Sequence, residues 1–72
     1  MIEIQNVQIV KGGHYLIGTT KGIVGGTIVA TIDSVYGDAL EIHTCGTNIR
    51  IMGKDIAYIK RLQGQSDYVV ER

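Results

Sequence analysis

The chain has 72 residues, seven Lys and Arg against seven Asp and Glu, and a formal net charge of zero. That is one domain's worth of sequence, without the basic excess from which a monomeric nucleic-acid binder draws most of its affinity. Cys45 is the only cysteine, so an internal disulfide is excluded, and a lone thiol suits a reducing compartment.

No apolar run reaches the roughly 18 residues of a membrane span. Met1-Ile2-Glu3-Ile4-Gln5 has neither the basic start nor the long apolar stretch of a signal peptide. A soluble, cytoplasmic protein with no membrane partner is expected.

Twelve Ile, seven Val and six Thr supply most of the bulk, with ten Gly and neither Pro, Phe nor Trp. β-Branched side chains are stiff at χ1 and fit a pleated surface, so strands are predicted throughout. Ile2 and Ile4 alternate with polar residues, and Val7 and Ile9 alternate in the opposite phase. The change at Gln5-Asn6 predicts a bulge or a switch of sheet. Lys11 to His14 reads as a turn and Tyr15 to Thr19 as a strand. Lys21 to Gly26 reads as a glycine-rich loop. Thr27 to Asp33 alternates, with Ile28, Ala30 and Ile32 on one face, and the chain turns at Gly37.

Leu40 and Ile42 share the next face, with Glu41, His43 and Cys45 on the other. Gly46-Thr47-Asn48 predicts a tight hairpin into Ile49 to Met52. Gly53 to Asp55 turns again, Ile56 to Leu62 is a strand, Gly64 to Asp67 a loop, and Tyr68 to Val70 a last strand. About seven short strands at this spacing predict one all-β domain over residues 1–72, an antiparallel sandwich or small barrel.

Ile56-Ala57-Tyr58-Ile59 is apolar on both faces, a pattern of strands covered on both sides. Sheet edges without proline invite pairing with another chain, and symmetric closure satisfies them. A homo-oligomer joined edge to edge into a ring is expected.

Two segments resemble the tryptophan RNA-binding attenuation protein (TRAP) family. Leu16-Ile17-Gly18-Thr19-Thr20-Lys21-Gly22 is similar to its isoleucine-glycine-x-threonine-basic-glycine segment. Ile49-Arg50-Ile51-Met52-Gly53-Lys54-Asp55-Ile56 is similar to its isoleucine-lysine-valine-arginine-glycine-x-x-leucine segment. The resemblance implies a ring with an amino acid such as tryptophan held between subunits and single-stranded RNA on the rim. By position, the resemblance puts Thr20 and Gly22 in one ligand loop and Thr47 in the opposing one. Gly25 in the glycine-rich segment, and His43 and Cys45 facing a pocket between subunits, are further candidate ligand contacts read from the residues themselves. Arg50 would occupy a basic RNA-contacting position of that family, and Lys54 is expected to present charge to RNA beside it.

The chain departs from that family in three places. Met52 replaces a second RNA-contacting arginine, Ala30 to Asp33 lacks the third basic residue, and Gly25-Gly26 replaces a threonine and an acidic residue. A second resemblance, to Sm-like RNA-binding rings, rests on Gly26 to Asp33 with Gly37 to Leu40, and on Ile51 to Ile59. Those proteins begin with a helix, and their first motif is one residue shorter.

The residues themselves leave several readings open. The Lys21 to Gly26 glycines permit close backbone approach to a carboxylate or phosphate, or merely connect a hairpin. No Gly-Lys-Ser/Thr ending makes them a P-loop. His43 and Cys45, with only His14 as a further soft donor, fall short of a metal site, so no metal or cofactor is expected. Asp33, Asp38 and Glu41 gather about one turn, where acids usually bond the backbone. No nucleophile–base pair can be read from the spacing, and no enzyme is expected.

Lys11, Lys21, Arg50, Lys54, Lys60 and Arg61 supply charge for RNA, and Tyr15, Tyr36, Tyr58 and Tyr68 are candidates for stacking. The function expected is a non-enzymatic regulatory ring that binds a small ligand and RNA in transcription attenuation. The alternatives are an oligomer that sequesters a small molecule or nucleotide without RNA, and an Sm-like ring.

Overall fold

The computed structural model describes residues 2–63 and 68–71. It is all-β: β1 Ile2–Ile4, β2 Val7–Ile9, β3 His14–Thr19, β4 Gly22–Ser34, β5 Gly37–Thr44, β6 Thr47–Met52, β7 Ile56–Arg61 and β8 Tyr68–Glu71, with a single 3-10 turn at Gly53–Asp55. The Gly64 to Asp67 loop lies outside the described residues. Among those described, no helix is long and apolar enough to cross a membrane.

β1 and β2 form their own antiparallel hairpin. The other six strands make one antiparallel sheet in the order β6-β5-β4-β3-β7, with β8 on β4. β4 has 13 residues, about 40 Å if straight, yet the longest dimension of the molecule is 30 Å. The strand therefore bends, and serves two halves. Gly22 to Gly25 lie between β3 and β8, and Thr27 to Ser34 pair with β5. Ile4, Ile9, Tyr15, Ile17, Val24, Ile28, Leu40, Ile42, Ile51, Ile56 and Ile59 form one buried cluster inside the curl.

Several sequence expectations are corrected. The phase change at Gln5-Asn6 is neither bulge nor sheet switch. Both residues are left-handed, at φ 51° and 66°, and they join the facing pair Ile4 and Val7, as a two-residue type I′ hairpin requires. The glycine-rich stretch is no loop but the first half of β4. Gly26 answers close approach instead: a Cβ there would overlap the His43 carbonyl oxygen.

The Ile28, Ala30, Ile32 face is also broken. Ile28 pairs with Ile42 and Ala30 with Glu41, so Val29 is an extra residue and the face switches there. Likewise Gly18 pairs with Tyr58 and Thr19 with Ile56, which makes Ala57 the extra residue of β7. The bulge puts Ile56 and Ile59 inward and leaves Ala57 and Tyr58 exposed. Within one chain, the two-faced apolar reading of β7 is a bulge and not a strand covered on both sides.

Two hairpin turns share one hydroxyl device. At the β3–β4 turn Thr19 Oγ1 accepts from the Lys21 N–H (3.1 Å) and donates to the Gly22 carbonyl (3.0 Å). At the β4–β5 turn Ser34 Oγ accepts from Tyr36 N–H (3.2 Å) and donates to Gly37 (2.9 Å). Hydroxyls are favoured in turns for this purpose. The β5–β6 turn is instead Cys45-Gly46, both left-handed at φ 49° and 80°. It comes one residue earlier than predicted, so Cys45 leaves the strand face it was to share with His43.

Candidate functional site

A cleft of about 240 Å³ opens beside the β3–β4 turn, between that turn, β6 and β8. The turn is anchored from within by Thr19 and from outside by the Thr20 N–H, which donates to the Asp55 carbonyl at 3.3 Å. That bond ties the β3–β4 turn to the 3-10 turn. β6 presents Ile49 and Ile51 inward, opposite Ile42 and Leu40, while Arg50 points outward with its side chain 64% exposed. Thr20, Lys21, Gly22, Val24, Ile49, Arg50, Ile51, Asp55, Val69 and Val70 all contribute to the lining.

The predicted site residues therefore divide. Thr20, Gly22 and Arg50 come together in the cleft. His43 meets Arg50 by another route, on the outward face of β5 and β6. His43 Nδ1 lies 2.7 Å from Asn48 Oδ1, Asn48 Nδ2 donates to Glu41 Oε1 at 3.3 Å, and Glu41 Oε2 is 3.9 Å from Arg50. Both partners follow from register, with Glu41 opposite Arg50 and His43 opposite Asn48. The exposed Arg50–Glu41 contact is long, and such pairs contribute well under about 1 kcal/mol.

Gly25, Cys45, Thr47 and Lys54 do not line the cleft. Gly25 is buried in β4, where its carbonyl accepts from the buried Thr44 Oγ1 at 2.7 Å. Cys45 and Thr47 are exposed at the β5–β6 turn, and Lys54 is exposed on the 3-10 turn. His14 Nδ1 lies 2.8 Å from Thr27 Oγ1, and no cluster of three metal-ligating side chains forms among the described residues. Tyr15 is lost to base stacking. It is fully buried, its hydroxyl bonded to Gln8 and Val10. Tyr36 and Tyr58 are exposed, and the Tyr68 side chain lies outside the description.

Comparison with protein-family models, with curated proteins and with solved structures finds no match. What the cleft binds has to be argued from its own chemistry.

Sequence reasoning missed Val24, Ile49, Ile51, Asp55, Val69 and Val70 as site residues. Alternation along β6 held the signal for Ile49 and Ile51. Nothing local could place Val69 and Val70 opposite them, because β8 reaches β4 across the whole chain.

Proposed function

We propose that this chain is a non-enzymatic binding protein whose cleft takes a zwitterionic amino acid with a bulky apolar side chain. One observation carries the reading: a single small space is lined by two cations, Lys21 and Arg50, one acid, Asp55, and an aliphatic wall of Val24, Ile49, Ile51 and Val69. A carboxylate is attracted to the cations, an ammonium to the acid, and the side chain to the wall. Ligand sites are commonly mostly apolar, with a few polar groups that fix orientation. Size agrees: a cavity of about 150 Å³ holds benzene, and this cleft is larger. The resemblance of the Thr20 and Gly22 segment to the tryptophan attenuator family points the same way. The Thr19 hydroxyl is already engaged by its own turn, which favours binding over nucleophilic chemistry.

Titration calorimetry with L-tryptophan tests the reading. Saturable binding is expected, weakened about tenfold or more in the charge-reversed variant Lys21→Glu/Arg50→Glu. The absence of heat with every natural amino acid at millimolar concentration overturns it.

RNA binding is the second reading. Arg50 and Lys54 are exposed, and Tyr58 and Lys60 are exposed two residues apart on β7. A ring would repeat such weak contacts and raise affinity by avidity. This reading requires affinity for single-stranded RNA that falls steeply between about 50 and about 500 mM salt. Without it, the same cleft makes a sequestering protein.

A further inference from the structure

We infer that the cleft also receives the β4–β5 hairpin tip of a second copy of this chain, so that copies join tip to cleft; the inference rests on the cleft being a binding site. Val35 and Tyr36, the two tip residues, are 94% and 90% exposed, whereas the next most exposed large apolar side chain described, Val70, is 53% exposed. The turn has no local need for them. Ser34 and the backbone hold it, and polar residues or glycine are the usual occupants of such a position.

One pair below the Ser34–Gly37 pair that closes the tip, Asp33 and Asp38 face one another across the hairpin. Like charges directly opposite are destabilising. Among the described residues the ion pair present is Arg50 with Glu41, so neither aspartate is neutralised by its own copy. The tip thus presents an aromatic ring and a valine in front of two negative charges. The cleft presents an aliphatic wall with two cations, Lys21 and Arg50, against one acid, Asp55, in its lining, a net positive balance. Its volume of about 240 Å³ exceeds the roughly 150 Å³ that accommodates a benzene ring.

Val35 and Tyr36 are highly exposed and do not line the cleft of their own copy. The contact is therefore between copies and heterologous. Repeated with a rotation that closes it makes a ring, and otherwise a filament. An apolar amino acid and the tip offer the cleft similar chemistry, so they compete. Ligand then disperses the assembly.

Sedimentation velocity on three proteins tests this: the wild type, a tip variant Val35→Thr/Tyr36→Ser, and the cleft variant Lys21→Glu/Arg50→Glu. All substitutions are at exposed positions, and circular dichroism checks that each protein folds. At about 100 μM the wild type is expected well above its 7.8 kDa monomer mass, and each variant alone is expected at that mass. Mixed together, the variants retain one intact cleft and one intact tip between them and are expected to form a one-to-one pair. A tip variant that assembles like the wild type, or a mixture that forms no pair, overturns the inference. A monomeric wild type that still binds tryptophan overturns tip docking and leaves the ligand reading standing. Assembly through the tip without affinity for any amino acid does the reverse.

Discussion

Gly26 packs so closely against the carbonyl of His43 that a Cβ on it would overlap the oxygen, with the Thr44 Cβ beside it. Here β4 passes from the company of β5 to that of β8. Because the obstacle is backbone, Gly26→Ala has no side chain to push aside. It is expected to cost about 2–3 kcal/mol, which lowers the melting temperature of a domain this size by about 10 °C or more. A thermal melt that moves by only a degree or two contradicts the packing.

Thr44 should reveal its hydroxyl in a pair of variants. The side chain is fully buried, and its Oγ1 donates to Gly25 at 2.7 Å. Thr44→Val keeps the shape and deletes the donor, for an expected loss of about 1–2 kcal/mol. Thr44→Ser keeps the donor and deletes one methyl. Urea denaturation should rank the serine variant as the more stable, although valine is the more apolar residue; the opposite order removes the hydrogen bond from the account.

Tyr15 is the largest fully buried side chain of the core. Its hydroxyl donates to the Gln8 carbonyl (2.9 Å) and accepts the Val10 N–H (3.0 Å), which pins β2 to the main sheet. Tyr15→Phe leaves two backbone groups without that partner. It should cost about 1–3 kcal/mol, with faster amide exchange at Val10 as its local signature. Unchanged exchange there would show the hairpin to be held by other means.

Gln5 occupies a left-handed position that glycine or asparagine normally takes. It is retained, on this account, because its Nε2 donates to the carbonyls of Ile56 (3.0 Å) and Ala57 (2.9 Å) and so covers part of the β7 edge at the bulge. Gln5→Ala keeps the strained backbone and loses both bonds, and is expected to destabilise by about 1–2 kcal/mol. Asn6→Gly relieves the second turn position and is expected to be neutral or mildly stabilising. Equal melting temperatures for wild type and Gln5→Ala would separate the side chain from the edge.

The all-β class was legible because β-branched residues dominate and glycines punctuate them, and most strand positions followed from alternation. Two of the misplaced faces have one physical origin. Val29 and Ala57 are bulges set by tertiary register, and a bulge moves every later residue to the other face without changing local composition. Glycine misled for a related reason. At Gly26 it answers a neighbouring strand's carbonyl, a requirement invisible to a reader of local sequence, and so Lys21 to Gly26 read as a loop. Thr20 and Gly22, expected as ligand contacts, line the cleft, and so does Arg50, expected instead to face RNA. The apolar far wall of the cleft was not legible, since Val69 lies far along the chain from its partner Val24.

The most direct test is an amide NMR titration of the wild-type protein with L-tryptophan. Shift changes should centre on Thr19 to Gly22, Ile49 to Met52 and Asp55. They should be largely abolished in Lys21→Glu/Arg50→Glu. Changes that instead centre on the Cys45 to Asn48 turn, or none at millimolar ligand, would contradict a binding cleft beside the β3–β4 turn.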